Sequence, residues 1–321
     1  MKICVVGCGR WGSLITWYLS EKKGHDVTLY GRAGSERIEK FIKERRNDLL
    51  VLPENVCVTT DISTINDAEV IIISINSQGL SSFMDEIKGF ELKNKIFVLC
   101  MKGIEISTGR RLSEIVDDSV DETNKVAVWL GPGHVQEFYV GIPNCMVIDS
   151  DDIPTKRKLI DAFSSELIRF YYGEDLLGNE IGAAAKNVIG IAAGMLDGKG
   201  LSTLKGALMS RGTREVARLI LQMGGNEISA YGLCHLGDYE ATVFSKFSHN
   251  RAYGDKFVKG EKFEDLAEGY YTAKAIKELS VKYGVDMPIC NCVYKILYEG
   301  ENPDVALGEL FHRSIKSEFY K

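Results

Sequence analysis

Three glycines at fixed offsets, Gly7-x-Gly9-x-x-Gly12, and two lysines in apolar company, Lys102 and Lys186, are the residues of this chain best suited to chemistry. The glycines suit phosphate. Gly7 permits a tight turn, Gly9 lets the backbone approach a pyrophosphate, and Gly12 lets a helix pack close to a strand. The free N–H groups and dipole at that helix's N-terminus then hold the anion. The lysines suit proton or anion chemistry. Lys186 lies in the small, apolar segment Gly182-Ala183-Ala184-Ala185-Lys186-Asn187-Val188-Ile189. Such a lysine either snorkels to solvent or points into a cleft, where desolvation lowers its pKa towards neutrality and fits it for acid/base work. Spacing alone does not choose between the two. Lys102 follows an apolar run, residues 95–101, and is either solvated or placed to hold a phosphate or orient a substrate oxygen. Gly131-Pro132-Gly133-His134 follows another such run, and is either a plain turn or a nest of N–H groups for an anion.

These groups need elements to position them, and hydrophobic periodicity supplies the elements. Ile3-Cys4-Val5-Val6 is short enough to be a buried strand, and a helical pattern over residues 13–23 follows the glycines. Strand, glycine turn and helix in this order are the context a dinucleotide fingerprint requires. The next strand covers residues 26–30. NAD enzymes usually carry a carboxylate at its end, for the ribose 2′-OH. Here there is none between Val27 and Ser35; Arg32 stands there instead, with Arg37 beyond it. A guanidinium matches a 2′-phosphate, which favours NADPH over NADH unless Arg32 is only a solvated loop residue. Further strands are expected at 56–60, 70–75, 95–101, 126–130, 144–148 and 168–172, and helices at 36–47, 80–87 and 154–163. The run Val70-Ile71-Ile72-Ile73 is apolar without alternation, as in a parallel strand buried on both faces. It leads into Asn76-Ser77-Gln78, polar residues where ligands of open α/β sheets bind. Alternating strands and helices imply an α/β fold with a doubly wound, mostly parallel, Rossmann-type sheet. From residue 178 to about 224 the pattern is helical, and no run of strands follows. Two domains are therefore expected: 1–177 for the dinucleotide, and 178–321, all-α, for substrate and catalysis.

Composition narrows the class. Apolar residues make up 45% and charged residues 26%, as in ordinary globular proteins, and the net charge of −6 argues against a nucleic-acid footprint. No apolar run is long enough for a membrane span, and a strand beginning at once leaves no room for a secretory signal. The eight cysteines are scattered without CxxC or Cys/His ligand spacing. Reduced thiols, a cytoplasmic setting and no metal site are expected. A homodimer is the default expectation for assembly, closed two-fold dimers being the commonest among soluble oligomers.

At this point the motifs resemble the bacterial-type NAD(P)-dependent glycerol-3-phosphate dehydrogenases, in order and over nearly the whole chain. Gly7-Cys8-Gly9-Arg10-Trp11-Gly12 is similar to that family's GAGSWG loop, and Met101-Lys102-Gly103 with Ile104-Glu105 to its TKG-[IL]-E. Gly131 to Glu137 resembles GPSHAEE, the Lys186 segment resembles GGALKNVIA, and Leu236-Gly237-Asp238 resembles GLGD. The resemblance implies a Rossmann domain and an all-α C-terminal domain of the 6-phosphogluconate dehydrogenase C-terminal-like kind. It implies hydride transfer between nicotinamide and C2 of dihydroxyacetone phosphate or sn-glycerol 3-phosphate, for glycerophospholipid synthesis, with NADPH preferred or NADH as cofactor. Lys186 would be the catalytic acid/base. Lys102, Gly131, Gly133, Asp238, Ser248, His249 and Asn250 would line the substrate, and Gly7, Gly9, Arg10, Trp11, Gly12, Arg32, Lys102, Val135, His249, Leu266 and Glu268 the cofactor.

The departures lie on the substrate side. The family's Ser-Arg-Asn is here Ser248-His249-Asn250, with Arg251 two residues on as a substitute. A histidine is a weaker and pH-dependent phosphate partner. Gly133 replaces a serine or threonine, and of GLGDL-x-x-T-C only Thr242 persists beyond the GD. Two other readings stay open: a divergent reductase of a related anionic or phosphonate ketone, and a non-catalytic NADPH-binding sensor.

Overall fold

The computed structural model describes residues 1–315, 317 and 318. Eight strands form one sheet in the order β3-β2-β1-β4-β5-β6-β7-β8. They are β1 (Lys2–Val6), β2 (Asp26–Tyr30), β3 (Cys57–Thr59), β4 (Val70–Ile73), β5 (Ile96–Leu99), β6 (Lys125–Leu130), β7 (Asn144–Asp149) and β8 (Ile168–Tyr172). All neighbours run parallel except β6 and β7, which pair antiparallel. The expectation of a mostly parallel, doubly wound sheet holds, with one reversed pairing that periodicity cannot register. The chain leaves β1 for β2 on one side and returns to β4 on the other, so the topological switch point lies between β1 and β4.

Both faces of the sheet are covered. Ile3, Val5, Val70 and Ile72 belong to one core cluster, whereas Cys4, Val6, Ile71 and Ile73 belong to another on the opposite face. Covering these strands are α1 (Arg10–Trp17), α2 (Glu36–Glu44), α3 (Leu80–Ile87), α4 (Leu112–Asp117), α5 (Val135–Tyr139) and α6 (Ile153–Phe163). All four residues of β4 are fully buried, each worth about 1.5–3 kcal/mol against exposure. That explains why the continuous run was readable as a central strand. The helix after the glycine turn begins at Arg10, earlier than its apolar periodicity, and continues as a π-helical turn over Tyr18–Lys22.

Beyond β8 the described residues form helices only. They are α7 (Leu176–Gly198), α8 (Lys205–Gln222), α9 (His249–Val258), α10 (Glu268–Lys282), α11 (Pro288–Tyr298) and α12 (Pro303–Phe311), joined by short 3-10 and π turns. The helical stretch expected from 178 to about 224 is two helices, broken at Gly200, whose φ of +73° ends α7. Asp175 caps α7 by accepting from Gly178 N at 3.1 Å. Apolar and small residues surround α7 on every side, so it is buried over most of its length. A stripe of Gly190, Gly194 and Gly198 lets α9 lie directly on it: a Cβ at Gly194 would overlap the Arg251 carbonyl, and one at Gly254 the Ile191 carbonyl. This close approach sets the N-terminus of α9 beside the middle of α7.

Candidate active site

Lys186 sits midway along α7 and is only 6% exposed. Its Nζ lies 2.6 Å from Asp238 Oδ2 and donates to Thr242 Oγ1 at 2.7 Å. Lys102, just past the end of β5, brings its Nζ within 2.6 Å of the same Asp238 oxygen and donates to the Gly131 carbonyl at 2.8 Å. One carboxylate oxygen therefore faces two ammonium groups. Asp238 is 1% exposed, and a charge so buried persists only when paired. Asp238 and Thr242 lie four residues apart on consecutive helical turns, Leu236–Asp238 and Glu240–Phe244, which aim both side chains at Lys186.

The environment tunes Lys186. Burial is the largest influence and pulls its pKa down; Asp238 pushes it back up, and Lys102 lowers it again, leaving it at about 8. A lysine so placed gives up or takes a proton near physiological pH. Of the two sequence readings, snorkelling is excluded: the ammonium is held inside. Lys102 is the more open of the pair, with 23% of its side chain exposed against 8% for Lys186.

A knot of amides fixes the surroundings. Asn187 donates to the Lys102 carbonyl at 3.4 Å and accepts from Asn250 at 3.0 Å, while Asn250 accepts from Gly269 N at 2.9 Å. Asn187 and Asn250 together thus tie α7, α9, α10 and the Lys102 segment. Ser248 uses its hydroxyl to cap α9, accepting from Arg251 N at 3.2 Å. Glu268, first residue of α10, reaches the carboxyl end of β4, where it accepts from Ser77 Oγ at 2.6 Å and Ser77 N at 3.3 Å; burial raises its pKa. Leu266 is 44% exposed, whereas Val135 is buried in the sheet's core.

Arg251 does not substitute for His249. Its Nε donates to Asp197 Oδ2 at 2.6 Å, an oxygen that Lys205 also holds, because a step of two residues turns a helical side chain to another face. His249 instead meets Arg10, whose Nη1 lies 2.6 Å from Nε2. Gly133 also has a structural reason. Its φ is +138°, and a Cβ there would overlap the Phe138 ring, so the conformation and the ring together leave no place for a hydroxyl-bearing side chain.

The glycine turn lies at the switch point, at the carboxyl end of β1. Gly7 has φ +108° and donates to the Tyr30 carbonyl at 2.9 Å. A Cβ at Gly12 would overlap the Gly7 carbonyl oxygen, whereas one at Gly9 would meet nothing closer than Arg37 Nη1 at 3.9 Å. Gly12 is therefore required by packing, and Gly9 keeps open a cradle that the protein itself does not fill. α1 starts with Gly9 as its cap, no side-chain capping bond and no acidic residue in its first turn, which leaves its N–H groups and dipole for an anion. These residues fit a dinucleotide diphosphate. Arg32 stands beyond β2, largely exposed, with Nη2 2.9 Å from Glu86 Oε2.

Several partners escaped the sequence reading. Ser77 and Glu268 are 191 residues apart, so nothing local could pair them. His134 stood in a flagged segment without a role; its Nε2 is buried with no hydrogen-bond partner among the described residues, and burial lowers its pKa to about 4, keeping the ring neutral.

Known proteins match this arrangement end to end. The family model for the NAD-dependent glycerol-3-phosphate dehydrogenase N-terminus matches residues 2–155, and that for the C-terminus matches residues 175–308. The glycerol-3-phosphate dehydrogenase [NAD(P)+] of Thermoanaerobacter sp. (strain X514) is 34% identical over 332 aligned positions, covering 100% of this chain and 99% of the relative. That of Chlorobium limicola is 32% identical, covering all of both chains. Among solved structures, glycerol-3-phosphate dehydrogenase from Coxiella burnetii superposes with a TM-score of 0.89 at 26% identity, covering 97% of this chain and 99% of that one. The enzyme of that name from Plasmodium falciparum shares the fold, with a TM-score of 0.85 at 19% identity and 99% and 97% of the chains covered. With a glycine turn at the switch point, a buried lysine on α7 and full-length relatives of one kind, the chain belongs to the NAD-dependent glycerol-3-phosphate dehydrogenase family.

Proposed function

We propose that this protein reduces dihydroxyacetone phosphate to sn-glycerol 3-phosphate, reversibly, and so supplies the glycerophosphate backbone for phospholipids. The observation that carries the reading is the buried Lys186–Asp238–Lys102 cluster beside a dinucleotide cradle. Bound in that cradle, the nicotinamide cofactor supplies or takes the hydride at C2 of the substrate. The chain does the rest. Gly9 leaves room for the diphosphate in a turn that Gly7 and Gly12 hold close to the sheet, and Trp11, Arg32, Val135, Leu266 and Glu268 complete the cofactor's surroundings. Lys102, beside the Gly131 and Gly133 turn, orients the substrate oxygens. Lys186 delivers a proton to the C2 oxygen in reduction and removes it in oxidation. Asp238 holds both ammonium groups in register, and Thr242 fixes the direction of Lys186.

In this reading residues 1–177 hold the cofactor and 178–321 contribute the acid/base, a division made two residues into α7. A cytoplasmic setting accords with eight free thiols, most of them buried as small hydrophobes. Among the described residues no helix is long and apolar enough to cross a membrane. The enzyme is proposed to act as a homodimer, the commonest closed assembly.

The deciding assay follows oxidation of NADPH and, separately, NADH at 340 nm, on the order of one turnover per second or more, with dihydroxyacetone phosphate. Turnover confined to a phosphonate or other anionic ketone would replace this reading with the divergent reductase, and tight cofactor binding with no turnover on any ketone would leave the sensor. Cofactor preference has its own test. Arg32→Ala is expected to weaken NADPH roughly tenfold, the worth of about one charge-assisted hydrogen bond, and to leave NADH nearly unchanged. Equal losses for both cofactors would remove Arg32 from the 2′-phosphate.

A further inference from the structure

Arg10 is the first residue of α1 and His249 the first residue of α9. Two helix N-termini, each the positive end of a dipole, therefore meet where Arg10 Nη1 and His249 Nε2 lie 2.6 Å apart. A guanidinium only donates, so His249 accepts through an unprotonated Nε2. That contact uses one of the five N–H groups of Arg10. Among the described residues no carboxylate pairs with Arg10. The other cations nearby are not matched either: Lys102 and Lys186 share the single carboxylate Asp238. His134, within electrostatic reach of Arg10, Lys102 and Lys186, adds a buried nitrogen with no hydrogen-bond partner among the described residues. Folding has gathered three cations here around one carboxylate, and Arg10 is the one whose only hydrogen-bond partner among the described residues is a neutral ring nitrogen. An unmatched guanidinium in a partly buried cleft is costly unless an anion completes it.

We infer that Arg10, held in place by His249, is the seat of the substrate's phosphate group: the glycine turn that cradles the cofactor also supplies the guanidinium that selects a phosphorylated ketone. This rests on the reading that the substrate carries a phosphate. Two sources of phosphate oxygens exist in such a cleft, the substrate's monoester and the cofactor's diphosphate. The geometry favours the monoester. The cofactor's diphosphate is already served by the backbone of the turn, with space reserved at Gly9. The Arg10 side chain leaves that backbone and crosses to α9, which packs on the very helix that carries Lys186. His249 is on this view a positioning residue, acting through Arg10.

Isothermal titration separates the sources. Inorganic phosphate is titrated into the wild-type protein saturated with NADPH, and NADPH is titrated separately. Arg10→Ala is expected to weaken phosphate at least about tenfold, the loss of one or two charge-assisted hydrogen bonds, with NADPH affinity changed less than about threefold. His249→Gln, which keeps an acceptor opposite Arg10, should bind phosphate nearly as the wild type does. His249→Ala should approach the Arg10→Ala value. The exchange Arg10→His with His249→Arg, which rebuilds the pair in reverse, should recover most of the affinity and serves if Arg10→Ala lowers the melting temperature. Phosphate that fails to bind the wild-type complex, that binds Arg10→Ala unchanged, or whose loss only mirrors a loss of NADPH, overturns the assignment. The proposed reaction is judged separately: Arg10-dependent phosphate binding in a protein that does not turn over dihydroxyacetone phosphate sinks the substrate and leaves the seat, and turnover that Arg10→Ala does not impair in KM sinks the seat and leaves the substrate.

Discussion

Lys186→Ala is expected to lower the rate of ketone reduction about 10²–10⁴-fold, the range for losing a positioned general acid, with a much smaller change in KM. The fold should survive. Removing one partner of a buried ion pair costs about 3–5 kcal/mol when the other charge is stranded, but Asp238 still has Lys102 at 2.6 Å. A melting temperature within several degrees of wild type, measured beside the kinetics, separates chemistry from collapse. The pH profile gives a second readout. The pKa of Lys186 is brought down to about 8 chiefly by burial. Reduction needs the protonated amine, so its rate should fall as pH rises through about 8. Oxidation needs the neutral amine and should rise through the same value. Asp238→Asn removes the influence that holds the pKa up, so both limbs should move to lower pH. Limbs that stay in place in Asp238→Asn would assign the titration to another group, and a KM effect without a rate effect in Lys186→Ala would remove the lysine from proton transfer.

The second large effect lies in the glycine turn, where two glycines in one motif should fail in different ways. Gly12→Ala places a methyl group on the Gly7 carbonyl oxygen, and Gly7 is anchored through its own N–H, which donates to the Tyr30 carbonyl. α1 must move off β1, at a cost of about 1–3 kcal/mol or more for overpacking. A clear drop in thermal stability of the cofactor-free protein is expected. Gly9→Ala meets only Arg37 Nη1 at 3.9 Å and should melt like the wild type. Its methyl group occupies the space kept for the diphosphate, so NADPH affinity should fall at least about tenfold, or about 1.4 kcal/mol. Scanning calorimetry and cofactor titration on both variants test the pair. Equal stability losses would show that Gly9 also serves packing, and undiminished NADPH binding by Gly9→Ala would place the diphosphate elsewhere.

The sheet was legible because its information is local. Val70-Ile71-Ile72-Ile73 is buried on both faces, and a residue that must be apolar on both faces leaves an unbroken run. The switch point was legible for the same reason, since strand, glycine turn and helix are consecutive. What periodicity could not carry was direction and distance. The antiparallel pairing of β6 with β7 has the same apolar pattern as a parallel one. The break in the helical stretch after residue 178 was carried locally by Gly198-Lys199-Gly200 with Ser202 and Thr203 beyond, a stop signal that the apolar periodicity continuing on either side overrode. In the site, Lys186 carried a signal of its own as a charge among alanines, but its meaning depended on Asp238, which only the resemblance to a family picked out. Arg251 shows the opposite error. Two residues from His249 in sequence, it is turned towards Asp197, since proximity along a helix is not proximity in space. The charge near His249 comes from Arg10, 239 residues away.

The burial of α7 has a consequence for how the molecule works through repeated cycles. Local opening costs least where few contacts are broken, and most where a segment is packed on all sides. α7 is buried from Gly178 through Leu196 almost without interruption, so the amides around Lys186 belong to the last part of the protein to exchange with solvent. Leu266, on the approach to Glu268, is 44% exposed and held by far less. On that contrast in packing, local opening is expected to cost less at the segment around Leu266 than along α7, and hydrogen exchange measured with and without NADPH would show whether the amides around Lys186 stay protected while those near Leu266 exchange.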